Sequence, residues 1–168
     1  NVAATDAGNY SCVVTGTCGT ITSTSATVTI NSNTAITTNP GNATICENNS
    51  TALSVVATGG NLVYQWQKGG TNLSNGGAIS GVNTANLAIT NAVLADAGIY
   101  SCNVTGSCGS NPSSSAATLT INPLTKIVTQ PASSTRCVGE NVVMTITASG
   151  SSLTYQWRKN GTNISATS

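Results

Sequence analysis

The side chains that could do chemistry in this chain are six cysteines and a few carboxylates, and none is placed for catalysis. The only carboxylate side chains are Asp6, Glu47, Asp96 and Glu140. The chain has no histidine, so a nucleophilic cysteine would lack the base that activates it. No second carboxylate, His or Lys is placed to share a proton with Asp6 or Asp96. We therefore expect no catalytic residue and no enzyme activity.

The cysteines are also a poor metal site. Zinc sites usually bring cysteines in close pairs or combine them with histidine. Six cysteines in a chain with only 5% charged residues point instead to an oxidising compartment. We expect no metal or other cofactor, and a protein that is extracellular or held at the cell surface.

The charge balance excludes two classes of partner. The formal net charge is +1, and no basic patch exists to hold the phosphates of a nucleic acid. No apolar run approaches the ~20 residues that a membrane-spanning helix needs. We therefore expect neither nucleic-acid binding nor a membrane span in this segment.

The elements that position these residues recur along the chain. The sequence ATDAGNYSCVVTGTCGT, from Ala4, returns as LADAGIYSCNVTGSCGS, from Leu94, at an offset of 90 residues. A second block, Tyr64-Gln65-Trp66, returns 91 residues later as Tyr155-Gln156-Trp157. A period of about 90 residues suits an array of self-contained domains better than a solenoid, whose repeats are mostly 20–50 residues.

This period divides the chain into three units. Residues 1–31 are the end of a first repeat, residues 32–123 are a complete second repeat, and residues 124–168 open a third. Both ends of the chain fall inside a repeat, so we expect the missing strands to come from a continuing parent chain or from neighbouring copies. The neighbouring repeats are the first partners that the sequence predicts.

Alternation of apolar and polar residues predicts the strands of the complete unit. Leu53, Val55 and Ala57 are spaced two apart and therefore share one face. Tyr64 and Trp66 face inward in the next strand, and the stretch from Asn75 to Gly81 reads as a loop. The other residues predicted to face inward are Leu87, Ile89, Tyr100, Cys102, Val104, Ala117, Leu119 and Ile121. Seven or eight short strands in 90 residues are typical of a sandwich.

The motifs resemble a known family. DAGIYSC, with a Trp strand about 35 residues upstream and ATLTI closing the unit, resembles the immunoglobulin superfamily, and its intermediate set most. YQWQKGGTNL and YQWRKNGTNI, with CENN or CVGEN early and GSCGS late, are similar to the immunoglobulin-like repeats of very large surface proteins of gliding and other Bacteroidota. The resemblance implies an all-β fold of tandem immunoglobulin-like Greek-key β-sandwich domains.

The resemblance assigns structural roles to the aromatic residues and to the repeated aspartates. Tyr10 and Tyr100 resemble the tyrosine-corner residue, whose hydroxyl bonds back to the preceding turn. Asp6 and Asp96 precede Ala-Gly at a tight corner, where an aspartate caps backbone N–H groups. Because every aromatic falls on an inward position, none remains for a platform that stacks sugars or bases. The predicted structural core contains Trp66, Trp157, Tyr10, Tyr100, Tyr64 and Tyr155.

The cysteines depart from the family pattern. An ordinary immunoglobulin domain bridges its second strand to the strand after the tyrosine corner. The second-strand position here is Val55, so Cys102 lacks its usual partner.

Each unit instead carries three cysteines, which are Cys46, Cys102 and Cys108 in the complete one. The resemblance to the bacterial repeats implies a Cys46–Cys108 disulfide, with Cys12, Cys18 and Cys137 as the repeat equivalents. Cys102 is then a buried free thiol. The alternatives are a bridge from Cys102 to Cys46 or Cys108, or a cross-link to another chain.

The functional hypothesis that follows is a non-catalytic structural or adhesive array. Repeats joined by short linkers could serve as a spacer, a stalk or a fibre that self-associates into filaments. A second hypothesis is an accessory module that binds a ligand or polysaccharide for a secreted enzyme. A third is a eukaryotic immunoglobulin receptor or muscle-type protein, which the missing second-strand cysteine, the low charge and the late Cys-Gly motif disfavour.

Overall fold

A computed structural model describes residues 1–165 of the chain. Eighteen short strands and two single 3-10 turns, Ala4–Asp6 and Leu94–Asp96, make up the regular structure of this part. No helix among the described residues is long and apolar enough to cross a membrane. The chain is therefore all-β, as the sequence predicts.

The strands fall into a large central group and two smaller flanking groups. The first flank contains β1 (Gly8–Tyr10), β2 (Val13–Gly16), β3 (Gly19–Thr22) and β4 (Ala26–Val28). The central group contains β5 (Ala35–Thr38), β6 (Ala43–Cys46), β7 (Thr51–Ser54), β8 (Val56–Thr58), β9 (Val63–Lys68), β10 (Thr71–Asn72), β11 (Ile79–Ser80), β12 (Asn86–Ile89), β13 (Gly98–Thr105) and β14 (Ala117–Asn122). The second flank contains β15 (Lys126–Thr129), β16 (Thr147–Ser149), β17 (Arg158–Lys159) and β18 (Thr162–Asn163).

The central group forms two layers. One is a five-stranded sheet in the order β10-β9-β13-β14-β6, in which β6 runs parallel to β14 and the other neighbours are antiparallel. The other layer contains the sheet β11-β12-β7 and the pair β5-β8. Val55 alone separates β7 from β8, and its N–H donates to the carbonyl of Ala85. This arrangement is a β-sandwich.

The core lies between these layers, and its members follow the predicted alternation. In β13 every second side chain is fully buried, and the same holds for the alternate residues of β14. Burial of large apolar side chains from both layers supplies the main driving force for folding. The buried cluster consists of Leu53, Val55, Trp66, Val82, Leu87, Ile89, Ala92, Tyr100, Cys102, Val104, Leu119 and Ile121.

The structure adds strands that the sequence pattern does not show. The stretch predicted as a loop contains β11, which pairs with β12 through Ile79 and Ser80. A two-residue strand is too short to display an alternation, so pattern alone cannot find it. The ten central strands exceed the seven or eight predicted because one predicted strand is interrupted at Val55 and because the two-residue strands β10 and β11 show no alternation.

Three aromatic residues predicted to be core are exposed, and a fourth, Tyr64, is only partly buried against the core. Tyr10 is 52% exposed, Tyr155 is 56% exposed and Trp157 is 38% exposed. Their counterparts Tyr100 and Trp66 are fully buried because strands β13 and β9 pair within one domain. Among the described residues, each flank holds only one of the two corresponding strands. Burial of these aromatics therefore requires strands from both halves of a repeat.

Candidate functional site

The tyrosine corner is the first place where polar side chains converge. The Tyr100 hydroxyl donates a hydrogen bond to the backbone carbonyl of Asp96 at 2.6 Å. The Asp96 carboxylate in turn accepts the backbone N–H of Val93 at 2.9 Å, across the 3-10 turn. The carboxylate thus holds the turn closed by accepting a backbone donor, and the turn presents its carbonyl to the tyrosine.

The first flank repeats this geometry. The Tyr10 hydroxyl donates to the Asp6 carbonyl at 2.8 Å, and the Asp6 carboxylate accepts the N–H of Ala3 at 2.7 Å. The two corners have the same bonds although one tyrosine is buried and the other is half-exposed. The corner is therefore determined by the local sequence, and packing comes second.

The environment of Tyr100 keeps its phenol neutral. Burial, and then the nearby negative charge of Asp96, raise the pKa of Tyr100 to about 12. Both effects disfavour the phenolate. The hydroxyl therefore remains a hydrogen-bond donor at all physiological pH values, as its bond to the Asp96 carbonyl requires.

Cys102 occupies the centre of the core. It is fully buried and lies directly opposite Trp66 in the β13–β9 register. The Trp66 indole N–H donates to the carbonyl of Thr84 at 2.9 Å, so the only polar atom of that side chain is satisfied. Val55 belongs to the same cluster. The position that usually carries a bridging cysteine is thus filled by a close-packed valine.

Burial also makes the Cys102 thiol unreactive. It raises the pKa of Cys102 to about 11, against the smaller opposing effect of a hydrogen bond from the backbone of Gln65. The thiolate is the nucleophilic form of cysteine. A buried thiol with so high a pKa is therefore a packing residue, and the structure gives it no chemical role.

Cys46 and Cys108 lie at opposite ends of the sandwich. Cys46 pairs with Asn122 at the end of β14, near the end of β13 that begins with Gly98. Cys108 follows the other end of β13, where its carbonyl accepts hydrogen bonds from the N–H and hydroxyl of Thr34. The eight residues of β13 span roughly 25 Å at about 3.3 Å per residue.

The structure therefore does not bring the implied Cys46–Cys108 pair together. A disulfide needs Cα atoms within about 7 Å of each other, and the length of a whole strand separates these two. Within residues 1–165 all six cysteines are free thiols. The pairing of Cys46 with Cys108 inside one repeat is not confirmed.

The remaining carboxylates bond to backbone rather than to each other. Glu140 accepts the N–H of Cys137 at 3.0 Å, and Glu47 accepts the N–H of Leu124 at 3.5 Å. In the part of the chain that the structure describes, no three His, Cys, Asp or Glu side chains are grouped as metal ligands.

The strongest feature that the sequence reasoning missed is the contact between successive units. The Ser151 hydroxyl donates to the side-chain carbonyl of Asn122 at 3.4 Å. One repeat earlier, a Cβ placed on Gly60 would lie 2.9 Å from the Asn31 side chain. The two asparagines are repeat equivalents at an offset of 91 residues. Their recurrence at the end of a unit was the available signal in the sequence.

The sandwich topology and the tyrosine corner agree with a direct family match. The immunoglobulin I-set domain family matches residues 34–121. The chain belongs to this family. No curated protein matches the chain.

Solved structures of I-set and related domains share this fold. A three-domain titin fragment, I67–I69 carrying E-to-A mutations, is 19% identical with a TM-score of 0.72, and the match covers 99% of this chain and 60% of that one. Sidekick-1 immunoglobulin domains 1–5 are 26% identical with a TM-score of 0.58, over 96% of this chain and 37% of that one. Drosophila OTK extracellular domains 3–5 are 23% identical with a TM-score of 0.52, over 72% of this chain and 42% of that one.

These matches confirm the fold class, an all-β tandem of immunoglobulin-like sandwiches. The chain spans 60% of the titin fragment and 37% of the Sidekick-1 fragment. Immunoglobulin-like domains are typically structural or adhesive modules in tandem arrays. I-set domains of the titin type are typically non-enzymatic.

Proposed function

We propose that this chain is a non-catalytic repeat segment of a long bacterial cell-surface or extracellular filament protein, and that it acts as a spacer, stalk or fibre-forming array. The division into repeats at 1–31, 32–123 and 124–168 is part of this proposal. So is the placement outside the cell, where immunoglobulin-like domains are common.

The observation that carries the proposal is the way one unit is joined to the next. Only Pro123, Leu124 and Thr125 separate β14 from β15. The junction is held by the Ser151–Asn122 hydrogen bond and by the bond from the Leu124 N–H to Glu47. A short connection with contacts on both sides limits the swing between domains. Such a joint favours an extended arrangement of the domains over independent domain movement.

The polar chemistry of the chain supports the same function. Asp96 and Tyr100 are used in the corner, and Trp66 and Tyr100 are buried in the core of the central sandwich. The bacterial subgroup is supported by the YQW and late Cys-Gly motifs. With a net charge of +1, little repulsion opposes lateral association of such segments.

A glycan array probed with the full chain tests the spacer function against the accessory-module alternative. A spacer should show no saturable binding to any purified polysaccharide at concentrations where known carbohydrate modules saturate. A denatured sample of the same chain is the control for nonspecific adhesion. Specific, saturable binding to one glycan class would overturn the spacer and favour the ligand-binding module.

A further inference from the structure

We infer that the early cysteine of one repeat and the late cysteine of the next form a disulfide across the junction, so that successive units of the array are covalently linked. This inference rests on the proposed tandem array. It gives Cys46 and Cys108 partners in neighbouring repeats rather than in each other.

Cys46 lies at the end of its repeat that faces the following repeat. Cys46 pairs with Asn122 in the parallel β6–β14 ladder. Paired residues of neighbouring strands point to the same face of a sheet. Ile45 and Ile121, one residue earlier on each strand, belong to the core side, so Cys46 and Asn122 both point outward. Cys46 is exposed.

Asn122, the neighbour of Cys46, contacts the following repeat. Its side chain accepts the hydroxyl of Ser151, which belongs to the opening part of the following unit. The exposed thiol of Cys46 therefore lies one strand spacing, about 5 Å, from a side chain that already touches the next repeat.

The central repeat contains the complete surface that contacts the preceding repeat. Gly60 is the equivalent of Ser151 at an offset of 91 residues. The N–H and the hydroxyl of Ser107 both donate to the Gly60 carbonyl, at 2.8 and 2.9 Å. Cys108 is the next residue, and it is only partly buried. The late cysteine thus lies beside the surface that receives the asparagine of the preceding repeat.

The junction between the first and second repeats shows the asparagine of one repeat beside the Gly60–Ser107 surface of the next. A Cβ placed on Gly60 would lie 2.9 Å from the Asn31 side chain and 3.1 Å from the Ser107 hydroxyl. Asn31 is the repeat equivalent of Asn122. The early cysteine beside one such asparagine and the late cysteine after Ser107 therefore lie on the two surfaces that meet at a junction, as a disulfide across that junction requires.

Formation of this disulfide is an oxidation of two thiols. Each cysteine loses its proton, one S–S bond forms between the two Sγ atoms, and two electrons leave. An external low-molecular-weight disulfide such as oxidised glutathione accepts both electrons and both protons and is cleaved to two thiols. Disulfides persist in an oxidising extracellular compartment. Cys102 takes no part, because it is fully buried.

The direct test completes the third repeat. Residue 168 corresponds to residue 77 of the second repeat, so fusing a second copy of residues 78–123 after Ser168 supplies the missing strands and a late cysteine. After incubation with oxidised glutathione, peptide mapping without reduction should link the Cys46 peptide to the appended copy of the Cys108 peptide. Cys46→Ser should abolish the link, and Cys18→Ser should leave it intact. A Cys46–Cys108 link inside the second repeat, or free thiols at both positions, would overturn the inference.

A second variant keeps the test independent of how the fused chain folds. In the full chain as it exists, Ser151→Cys places a thiol at the residue that contacts Asn122. Oxidation should bond it to Cys46, and the double variant with Cys46→Ser should retain the free thiol. If this disulfide does not form in a chain that scatters as an extended rod, the inferred disulfide between repeats is contradicted and the array is not. A compact chain would contradict the array.

Discussion

At the scale of single residues, Cys12 and Cys102 occupy the same position in successive repeats but differ in environment. Cys12 is exposed and Cys102 is buried. Burial raises the pKa of Cys102 to about 11, which leaves little thiolate at pH 8. We expect iodoacetamide to label Cys12 at least ten times faster than Cys102 in the folded chain.

Peptide mapping after timed alkylation checks this expectation. Labelling in 6 M guanidinium chloride is the control, because unfolding should make the two rates similar. Equal rates in the folded chain would show that Cys102 is accessible to the reagent and does not lie in the core.

The Tyr100 hydroxyl makes a measurable contribution to stability. Tyr100→Phe removes the bond to the Asp96 carbonyl and should lower the free energy of unfolding by about 1 kcal/mol. Because the folded-state pKa of Tyr100 is raised to about 12, the neutral phenol favours the folded state fully below pH 10. This contribution should be lost as the pH rises from about 10 to 12. Urea titrations at several pH values measure both effects.

Tyr10→Phe is the matched control for the tyrosine corner. It removes the same bond, at 2.8 Å, from a tyrosine that is 52% exposed. The main unfolding transition, which reports the central sandwich through Trp66, should not shift. An equal shift for both variants would mean that the corner bond does not act through the central core.

At the scale of elements, Val55 tests how the two layers face each other. Val55 and Cys102 belong to one buried cluster, and they come from opposite layers. Val55→Cys should therefore form a disulfide with Cys102 on oxidation, and closing this loop should stabilise the domain by roughly 4 kcal/mol in the chain-entropy model. The checks are a loss of two hydrogen atoms in the intact mass and a higher melting temperature.

The same substitution in the second flank is the control. Ile146 is the repeat equivalent of Val55, and no late strand covers it among the described residues. Ile146→Cys should give no such bond with Cys102. If the Val55→Cys variant keeps two free thiols after oxidation, the two positions do not face each other.

Much of the element structure is readable from the sequence, and the rest has identifiable causes. Strand β13 displays its alternation over eight residues, which is enough to predict which side chains face inward. Strands β10 and β11 have two residues each and carry no such pattern. The disposition of Cys46 and Cys108 depends on the parallel β6–β14 pairing, and strand pairing is a long-range property that local sequence does not encode.

The candidate site was predictable to a similar degree. The corner bonds of Asp96 and Tyr100 follow from a local motif, and they recur at Asp6 and Tyr10 with the same partners. Burial of the aromatics could not be predicted for the flanks, because it depends on strands that lie far apart in a repeat. Trp157 is 38% exposed while Trp66 is fully buried, although their local sequences are nearly the same.

In the whole molecule, the arrangement of the units determines the overall dimensions of the chain. The Ser151–Asn122 contact and the three-residue connection between β14 and β15 favour units that follow one another along a line. A chain of 168 residues that collapsed into one globule would have a radius of gyration of about 15 Å. A line of partly and fully folded units must be larger.

Small-angle scattering of the full chain therefore distinguishes a line of units from a single globule. The tandem array predicts a radius of gyration clearly above 15 Å and a distance distribution with a long tail, together with the signature of folded domains. A radius of gyration of about 15 Å with a symmetric distance distribution would contradict the array.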